Sequence, residues 1–283
     1  VAIGDVRDGG DRLENLEKMI NAVEETQKRG LNRAEHRLHL RCELPHHTTL
    51  PLFEKLVGRE PVSLVSLMDH SPGQRQFANI EKYREYYQGK YSLNDAEMAR
   101  YEEEQLALAA QWSQPNRLKI AAMCRDRNIA LASHDDATHD HVRESHRLGS
   151  VIAEFPTTFE AAEASRRHGM NVLMGAPNIV RGGSHSGNVA ASRLASLGLL
   201  DILSSDYYPA SLLDAAFRVA DDEGNSFTLP QAIRLVTKNP ATALNLHDRG
   251  EIAEGKRADL VLAHRKGEHV HIDHVWRQGK RVF

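Results

Sequence analysis

The sequence lacks the features that mark several special classes of protein. Its 283 residues include two cysteines, Cys42 and Cys124, which are too few for a disulfide framework. No apolar run approaches the roughly 18 residues that cross a bilayer, and no basic-then-apolar stretch resembles a signal peptide. From these absences we expect a protein of the reducing cytoplasm, without a membrane partner.

The sequence also has no large excess of charge of one sign. Lysine and arginine together number 36 against 39 aspartates and glutamates, which leaves a net charge of -3. This balance argues against a broad nucleic-acid-binding surface, so we expect no nucleic-acid partner. Hydrophobic residues make up 41% of the chain, which is enough for the core of one large domain or two small ones.

Apolar runs with strand character alternate with segments of helical spacing along most of the chain. Strands are predicted at 37–44, 61–70, 129–134, 150–156, 171–177 and 199–206, and helices at 11–29, 48–60, 116–127, 140–148, 158–168, 188–197, 210–221 and 229–237. A further helix is predicted to end at Gln114. Such alternation is typical of an α/β fold with parallel strands and helical crossovers. A closed (β/α)8 TIM-like barrel is favoured over an open, doubly wound sheet.

The two ends of the chain depart from this pattern. Residues 250–283 contain short alternating stretches and glycine turns, which predict antiparallel strands. We therefore expect a barrel domain at residues 1–249 and a small β appendage at residues 250–283. The opening VAIGDVRDGG resembles the end of a strand that runs into a glycine-rich loop, so we expect the first barrel strand to be missing from the chain.

Acidic and imidazole side chains occur where the predicted strands end. These residues are Glu43, Asp69, His70, His134, Asp135, Asp136, Glu154 and Asp206. In a β/α barrel the carboxyl ends of the strands converge on one face, where active sites lie. So many carboxylates in one place need a cation, and mixed nitrogen and oxygen ligands suit Zn²⁺, Mn²⁺ or a related divalent ion. We expect one or two such ions, which would activate a water molecule for attack.

Each of these residues also has a purely structural interpretation. A single histidine or aspartate after a strand is often a helix cap or a turn residue. The pattern does not rank Asp135 against Asp136, and one of them could cap the helix that begins near Asp140. Glu154 could equally pair with an arginine.

Two further segments have the composition of binding loops. The segment 176–192 combines Arg181 and His185 with small residues before a helix; this suits a phosphate group, and a flexible surface loop fits it equally well. The segment 70–91 is long for a barrel loop and predicts a lid that brings Arg75 to the substrate. The alternative for this second segment is a solvated helix whose tyrosines pack on the barrel.

Five blocks of the sequence resemble one branch of the amidohydrolase superfamily, the diphosphatases of the bacterial carbon–phosphorus lyase pathway. The blocks are SLMDHSPGQRQF, LASHDDAT, FPTTFEAA, MGAPNIVRGGSHSGN and ILSSDYYPASLLDAAF. The tail GEIAEGKRADLVL resembles the segment in which the superfamily's chain comes back to its small β-sandwich after the barrel. A small sandwich remnant is therefore expected there. The resemblance implies a metal-dependent hydrolase on an amidohydrolase-type barrel. Its reaction would be the release of pyrophosphate from a small molecule, alpha-D-ribose 1-methylphosphonate 5-triphosphate.

The resemblance also implies roles for individual residues. Glu43 and His134 would be metal ligands, and Asp206 would be both a ligand and the general base that orients the water. His70 is the further metal ligand that we expect. The side chains expected to hold the substrate are those of Arg75, Arg181 and His185.

Other functions stay open at this point. The superfamily places a His-x-His pair on its first strand, and the chain opens without one, so we expect that strand and half of the sandwich to be absent. A deaminase or cyclic amidase on the same barrel is the enzymatic alternative. A non-catalytic fragment that binds a phosphorylated ligand is the other alternative, and a homo-oligomer stays open as well.

Overall fold

The described part of the chain divides into two units. The computed structural model describes residues 1–4, 11–77, 79–184, 187–267 and 269–283. The first unit comprises residues 1–29 and 36–150, and the second comprises residues 30–35 and 151–283. Both units contain parallel strands followed by helices, as the alternating pattern predicts. The domain boundary between residues 249 and 250 stays a prediction.

In the first unit, four parallel strands are described. Their bounds are Ala2–Ile3 (β1), Leu38–Glu43 (β2), Val62–Met68 (β3) and Ala130–His134 (β4), and each pairs with the next in chain order. Burial alternates along β2, where Leu38, Leu40 and Cys42 are buried. Arg41 and Glu43 alternate with these residues and are only partly buried. Because side chains alternate across a strand, Arg41 and Glu43 point to the same side of the sheet.

Five helices are described in the first unit. Their bounds are Asp11–Lys28 (α1), Thr49–Leu56 (α2), Ile80–Tyr91 (α3), Asp95–Asp126 (α4) and His139–Arg147 (α5). Helices α1, α2 and α4 contribute Leu16, Phe53 and Ile120 to one apolar core. The strands contribute Leu40 and Val65 to the same core. The helical spacing of apolar residues in the sequence reflects this shared core.

The prediction of two separate helices on either side of Pro115 is wrong, because α4 runs through this proline. The structure has one continuous helix of 32 residues that contains this proline. A proline removes one backbone hydrogen bond and usually kinks or ends a helix. Here the side-chain amide of Asn116 donates to the carbonyl oxygens of Leu44 and His46, over 2.8 and 2.9 Å. These tertiary contacts hold the helix beyond the proline, and Ile120 is fully buried one turn later.

The segment between β3 and α4 packs its tyrosines into the first unit. It contains a short 3-10 turn at Arg75–Phe77, followed by α3. The rings of Tyr83 and Tyr87 in α3 have centroids 4.6 Å apart, and Tyr101 of α4 lies 5.4 Å from Tyr87. Tyr83 is 1% exposed. This packing fits the interpretation of a helix with packed tyrosines, and the lid stays a prediction.

The second unit also has parallel strands followed by helices. Its described parallel strands are Ile152–Glu154 (β5), Asn171–Gly175 (β6) and Ile202–Ser204 (β7), which pair in chain order. Its described helices are Phe159–Arg167 (α6), Ala176–Arg181 (α7), Ala191–Ser196 (α8), Ser211–Asp221 (α9), Leu229–Arg234 (α10) and Lys238–Ala243 (α11). Buried Val172, Leu194, Leu203 and Val219 belong to its core. None of the helices in the described ranges of either unit is both long and apolar enough to cross a bilayer.

Helix α7 lies where the sequence predicts only a loop. Pro177 lies in its first turn, and Gly182 ends it in the left-handed conformation, with φ of 82°. A proline at the start and a glycine just past the end are ordinary helix signals. Arg181 is therefore the last residue of a helix and not part of a flexible loop.

The C-terminal residues of the second unit form an antiparallel sheet. Its described strands are Leu260–Lys266 (β8), His269–Arg277 (β9) and Lys280–Arg281 (β10), in the order β10-β9-β8. Both pairings are antiparallel, which confirms the prediction for this part of the chain.

Candidate metal centre

Three neighbouring strand ends of the first unit carry acidic and imidazole side chains. Strand β2 ends at Glu43, His70 lies shortly after β3, and β4 ends at His134 with Asp135 directly after it. Because these strands are parallel neighbours, their carboxyl ends lie along one edge of the sheet. The structure therefore brings three of the four predicted metal ligands to the same edge: Glu43, His70 and His134.

His70, His134 and Asp135 form a group with the chemistry of a metal site. Their donor atoms all lie within 4.8 Å of one another. Asp135 Oδ2 lies 3.4 Å from His134 Nε2 and 3.7 Å from His70 Nε2. The two imidazole rings are nearly perpendicular, with centroids 5.8 Å apart. Two imidazole nitrogens and one carboxylate oxygen suit Zn²⁺ and related divalent ions, so these residues fit such a metal.

Glu43 contacts this metal group through His70. Its Oε2 accepts a hydrogen bond from His70 Nδ1 over 2.6 Å, and its Oε1 accepts one from the backbone N–H of His70 over 3.0 Å. Since Nδ1 is engaged with Glu43, Nε2 is the nitrogen that faces Asp135. A carboxylate behind a metal-binding histidine fixes the ring and raises its basicity. The structure thus places Glu43 behind His70, and its direct ligation of a metal stays a prediction.

The charges of these groups depend on one another. Burial acts to lower the pKa of His70, but Glu43 and Asp135 outweigh burial and raise that pKa to about 10. Burial acts to raise the pKa of Glu43, and His70 outweighs it, so the pKa of Glu43 lies below its usual value. Without another cation, His70 is therefore protonated at neutral pH and balances the carboxylates. A metal ion would take over this role, and its binding would release the proton.

The backbone at Asp135 has an uncommon conformation. Its φ is +56°, in the left-handed region, which costs a residue with a Cβ about 1–2 kcal/mol. Asp135 faces the histidines, whereas the next residue, Asp136, forms a buried ion pair with Arg75. The structure thus separates the two aspartates that the sequence could not rank. Asp135 belongs to the metal group, and Asp136 belongs to a buried ion pair.

Arg75 lies in the interior of the first unit. Its side chain is 4% exposed and pairs with both Asp136 and Glu144. The substrate contact of Arg75 stays a prediction.

A cavity of about 770 Å³ in the first unit has Glu43 and His70 in its wall. This volume is typical of small-molecule sites. The wall also contains Arg41 and Lys90, together with tyrosines of α3. Arg41 Nη2 lies 3.4 Å from His134 Nε2, so a metal ion on that nitrogen requires the guanidinium to turn away from it. A guanidinium here can donate paired hydrogen bonds to a phosphate or phosphonate group.

The other predicted site residues that the structure describes lie in the second unit. Asp206 follows β7 in an exposed position, with φ of +48°. A Cβ at Gly175 would lie 3.2 Å from Asp206 Oδ2, so the glycine leaves room for this carboxylate. Arg181 Nη1 donates a hydrogen bond to the hydroxyl of Tyr207 over 3.1 Å, directly after Asp206 in the chain. His185 lies outside the described residues.

Sequence reasoning missed Arg41, and it also missed Arg117, whose Nη2 lies 3.1 Å from Oδ2 of Asp69, the residue before His70. Arg41 lies two residues before Glu43 on β2, so the strand period already places both on one face. Arg117 lies on α4 at helical spacing from buried Ile120 and Cys124, so its position on the apolar face was readable from the sequence. A charged residue on an apolar face is rare unless it is paired, which is the signal that could have identified Arg117.

Comparison with known proteins finds one family and a very similar relative. The profile of the amidohydrolase family matches residues 33–283. The chain is 88% identical over 283 residues to the alpha-D-ribose 1-methylphosphonate 5-triphosphate diphosphatase of Escherichia coli (strain K12), and the match covers 100% of this chain and 75% of that protein. It is also 36% identical over 125 residues to the adenine deaminase of Ligilactobacillus salivarius (strain UCC118), over 41% of this chain and 21% of that protein.

A solved structure shares the fold. It is an adenosine deaminase from Xanthomonas campestris with bound zinc, with a TM-score of 0.50 and 16% sequence identity. The match covers 87% of this chain and 60% of that chain. At this identity the likeness concerns the fold alone.

Proposed function

This chain belongs to the amidohydrolase family, and we propose that it is a metal-dependent diphosphatase. It hydrolyses a phosphoanhydride bond of alpha-D-ribose 1-methylphosphonate 5-triphosphate, releases pyrophosphate and acts in phosphonate catabolism in the cytoplasm. The observation that carries this proposal is the 88% identity, over the whole chain, to the Escherichia coli enzyme of that name.

The residues of the candidate metal centre support this proposal. A bound divalent ion supplies Lewis acidity and lowers the pKa of a water molecule. His70, His134 and Asp135 would hold the ion, which we propose to be Zn²⁺ or Mn²⁺. Glu43 keeps the ring of His70 oriented through its hydrogen bond to Nδ1.

Other side chains would bind the substrate and move the proton. Arg41 and Lys90 bring positive charge to the wall of the cavity, which suits a ligand that carries a triphosphate and a phosphonate. We retain Asp206 as the general base that takes the proton of the attacking water. Arg181 and His185 are retained as phosphate-binding residues on the strength of the resemblance.

The proposal is tested by the release of pyrophosphate. The chain is stripped of metal, reloaded with Zn²⁺ or Mn²⁺ and incubated with the ribosyl phosphonate triphosphate, and products are followed by phosphorus NMR. We expect pyrophosphate and the 5-phosphate product from the loaded protein and neither from the stripped protein. ATP, which carries the same triphosphate without the phosphonate, serves as the control substrate. A loaded protein that leaves the ribosyl phosphonate triphosphate intact would refute the proposal.

The partial match to an adenine deaminase makes deamination of adenine the second candidate activity. The same loaded protein is therefore incubated with adenine, and ammonia is measured. Ammonia release without pyrophosphate release would indicate a deaminase. Binding of the triphosphate without either product would indicate a non-catalytic binding fragment.

A further inference from the structure

Two carboxylates adjacent to the metal group are held by buried arginines. Asp69 directly precedes His70, and its Oδ2 lies 3.1 Å from Arg117 Nη2. Asp136 directly follows Asp135 and forms an ion pair with Arg75. Neither carboxylate belongs to the metal group itself. Each anchors the backbone one residue away from a candidate ligand.

A third carboxylate, that of Glu144, joins the two arginines. Its Oε2 lies 2.6 Å from Arg117 Nη1 and 3.2 Å from Arg75 Nη2. The result is a continuous chain of charges, which we call the ion chain: Asp69, Arg117, Glu144, Arg75 and Asp136. It links the loops after β3 and β4 through α4, α5 and the 3-10 turn.

The ion chain is buried along most of its length. The side chains of Arg75 and Asp136 are 4% and 1% exposed, and those of Arg117 and Asp69 are 9% and 4% exposed. Buried ion pairs lose much of their hydration, so they contribute little net stability compared with apolar packing. In some proteins such pairs instead specify one arrangement of the groups around them. Asp135, which directly precedes the paired Asp136, has a left-handed backbone conformation.

We propose that Arg75, Arg117 and Glu144 are positioning residues that set the separation of His70 and Asp135. By fixing Asp69 and Asp136, they hold the loops that carry these two ligands, and so they determine how tightly the centre binds a divalent ion. Glu144 couples the two loops, because it is the member that contacts both arginines. This inference rests on the metal centre of the proposed function and does not depend on its substrate.

The test measures the affinity of the folded protein for Zn²⁺ alone, by competition with a chromophoric chelator. Glu144→Gln removes the bridging charge with little change of shape, and Arg117→Met removes one arginine. Asp140→Asn is the matched control for charge, because Asp140 is an exposed carboxylate on the same helix, α5. Ile120→Ala is the control for stability, because Ile120 is a buried core residue one turn from Arg117 on α4.

We expect Glu144→Gln and Arg117→Met to weaken Zn²⁺ binding about tenfold, the lower end of the loss caused by removing a group bonded directly to a metal ligand, because both residues act through Asp69 and Asp136. The two controls keep the wild-type affinity, although Ile120→Ala lowers the melting temperature. The absorption bands of the Co²⁺-loaded Glu144→Gln protein shift as well, because the ligand geometry changes. Arg117→Lys restores only part of the affinity, since the single ammonium of lysine cannot replace the forked guanidinium that contacts both Asp69 and Glu144.

The outcomes separate this inference from the proposed function. Wild-type affinity in Glu144→Gln, or an equal loss in Ile120→Ala, overturns the positioning role. A wild-type chain that binds no Zn²⁺ overturns it too. If the wild-type chain releases no pyrophosphate but its Zn²⁺ affinity depends on Glu144, the proposed function fails and the ion chain keeps its role.

Discussion

Glu43 holds His70 at two points, because its carboxylate accepts hydrogen bonds from both the ring Nδ1 and the backbone N–H of that residue. The double contact fixes the position of the residue and the orientation of its ring. It leaves Nε2 to face Asp135. The side chain of Glu43, at the end of β2, thus orients His70, the candidate metal ligand that follows β3.

This contact predicts that Glu43→Gln weakens Zn²⁺ binding about 10- to 100-fold, as is usual when the partner of a metal-bound histidine loses its charge. In the metal-free variant, the pKa of His70 falls from about 10 toward its ordinary value, because the charge of Glu43 no longer offsets the lowering of this pKa by burial. Chelator competition and an NMR titration of the histidines measure the two effects. Glu17→Gln, which removes an exposed carboxylate paired with Lys55, is the control. An unshifted His70 in Glu43→Gln would contradict the coupling.

The raised pKa of His70 also predicts how the stability of the metal-free protein depends on pH. Because the pKa rises from 6.5 to about 10 on folding, the stabilisation is fully present below pH 6.5 and is lost as pH rises through about 10. The melting temperature of the metal-free wild type should therefore fall more steeply than that of His70→Asn over this range. Lysines titrate in both proteins, so the difference between the curves isolates His70. Parallel curves would show that His70 makes no such contribution.

Asp206→Asn is predicted to abolish pyrophosphate release while the protein stays folded. The amide cannot accept the proton of the attacking water, so we expect a loss of about 100-fold or more in kcat. The control is Asp221→Asn, which removes an exposed carboxylate that pairs with Arg265 in the same unit. Circular dichroism verifies the fold of both variants. Normal turnover in Asp206→Asn would remove this residue from the mechanism.

Arg181→Ala is predicted to raise KM about tenfold or more and to leave kcat nearly unchanged, because a charge-assisted contact to phosphate acts equally in the ground state and the transition state. Arg181 is exposed at the end of α7 and engages the hydroxyl of Tyr207. Steady-state kinetics measure the effect. The control is Arg193→Ala, at another exposed arginine of the second unit. If KM stays at the wild-type value, Arg181 does not bind the substrate.

Much of the fold could be predicted because its local signals agree with its tertiary structure. Alternating burial along β2 and the buried runs of β3 and β4 identify strands, and the family match confirms the α/β fold of the amidohydrolase type. The exceptions arise where tertiary contacts decide the outcome. Helix α4 continues through Pro115 because Asn116 and the residues after it are held by the rest of the unit.

The candidate site could be predicted only in part, for a similar reason. His70 and His134 lie at strand ends, and parallel topology brings such ends together. Which of Asp135 and Asp136 faces the histidines depends on the backbone angle φ of Asp135 and on Arg75, the partner of Asp136 in a buried ion pair. That partner comes from a distant part of the chain, and no local pattern around the two aspartates reports it.

The most direct test of the proposed metal centre is to locate the metal in crystals of the zinc-loaded wild-type protein, by anomalous diffraction at the zinc absorption edge. We expect a zinc peak bound by the side chains of His70, His134 and Asp135, with Glu43 still contacting His70 Nδ1. A loaded and active protein whose zinc peak lies away from these three side chains would contradict the proposed centre.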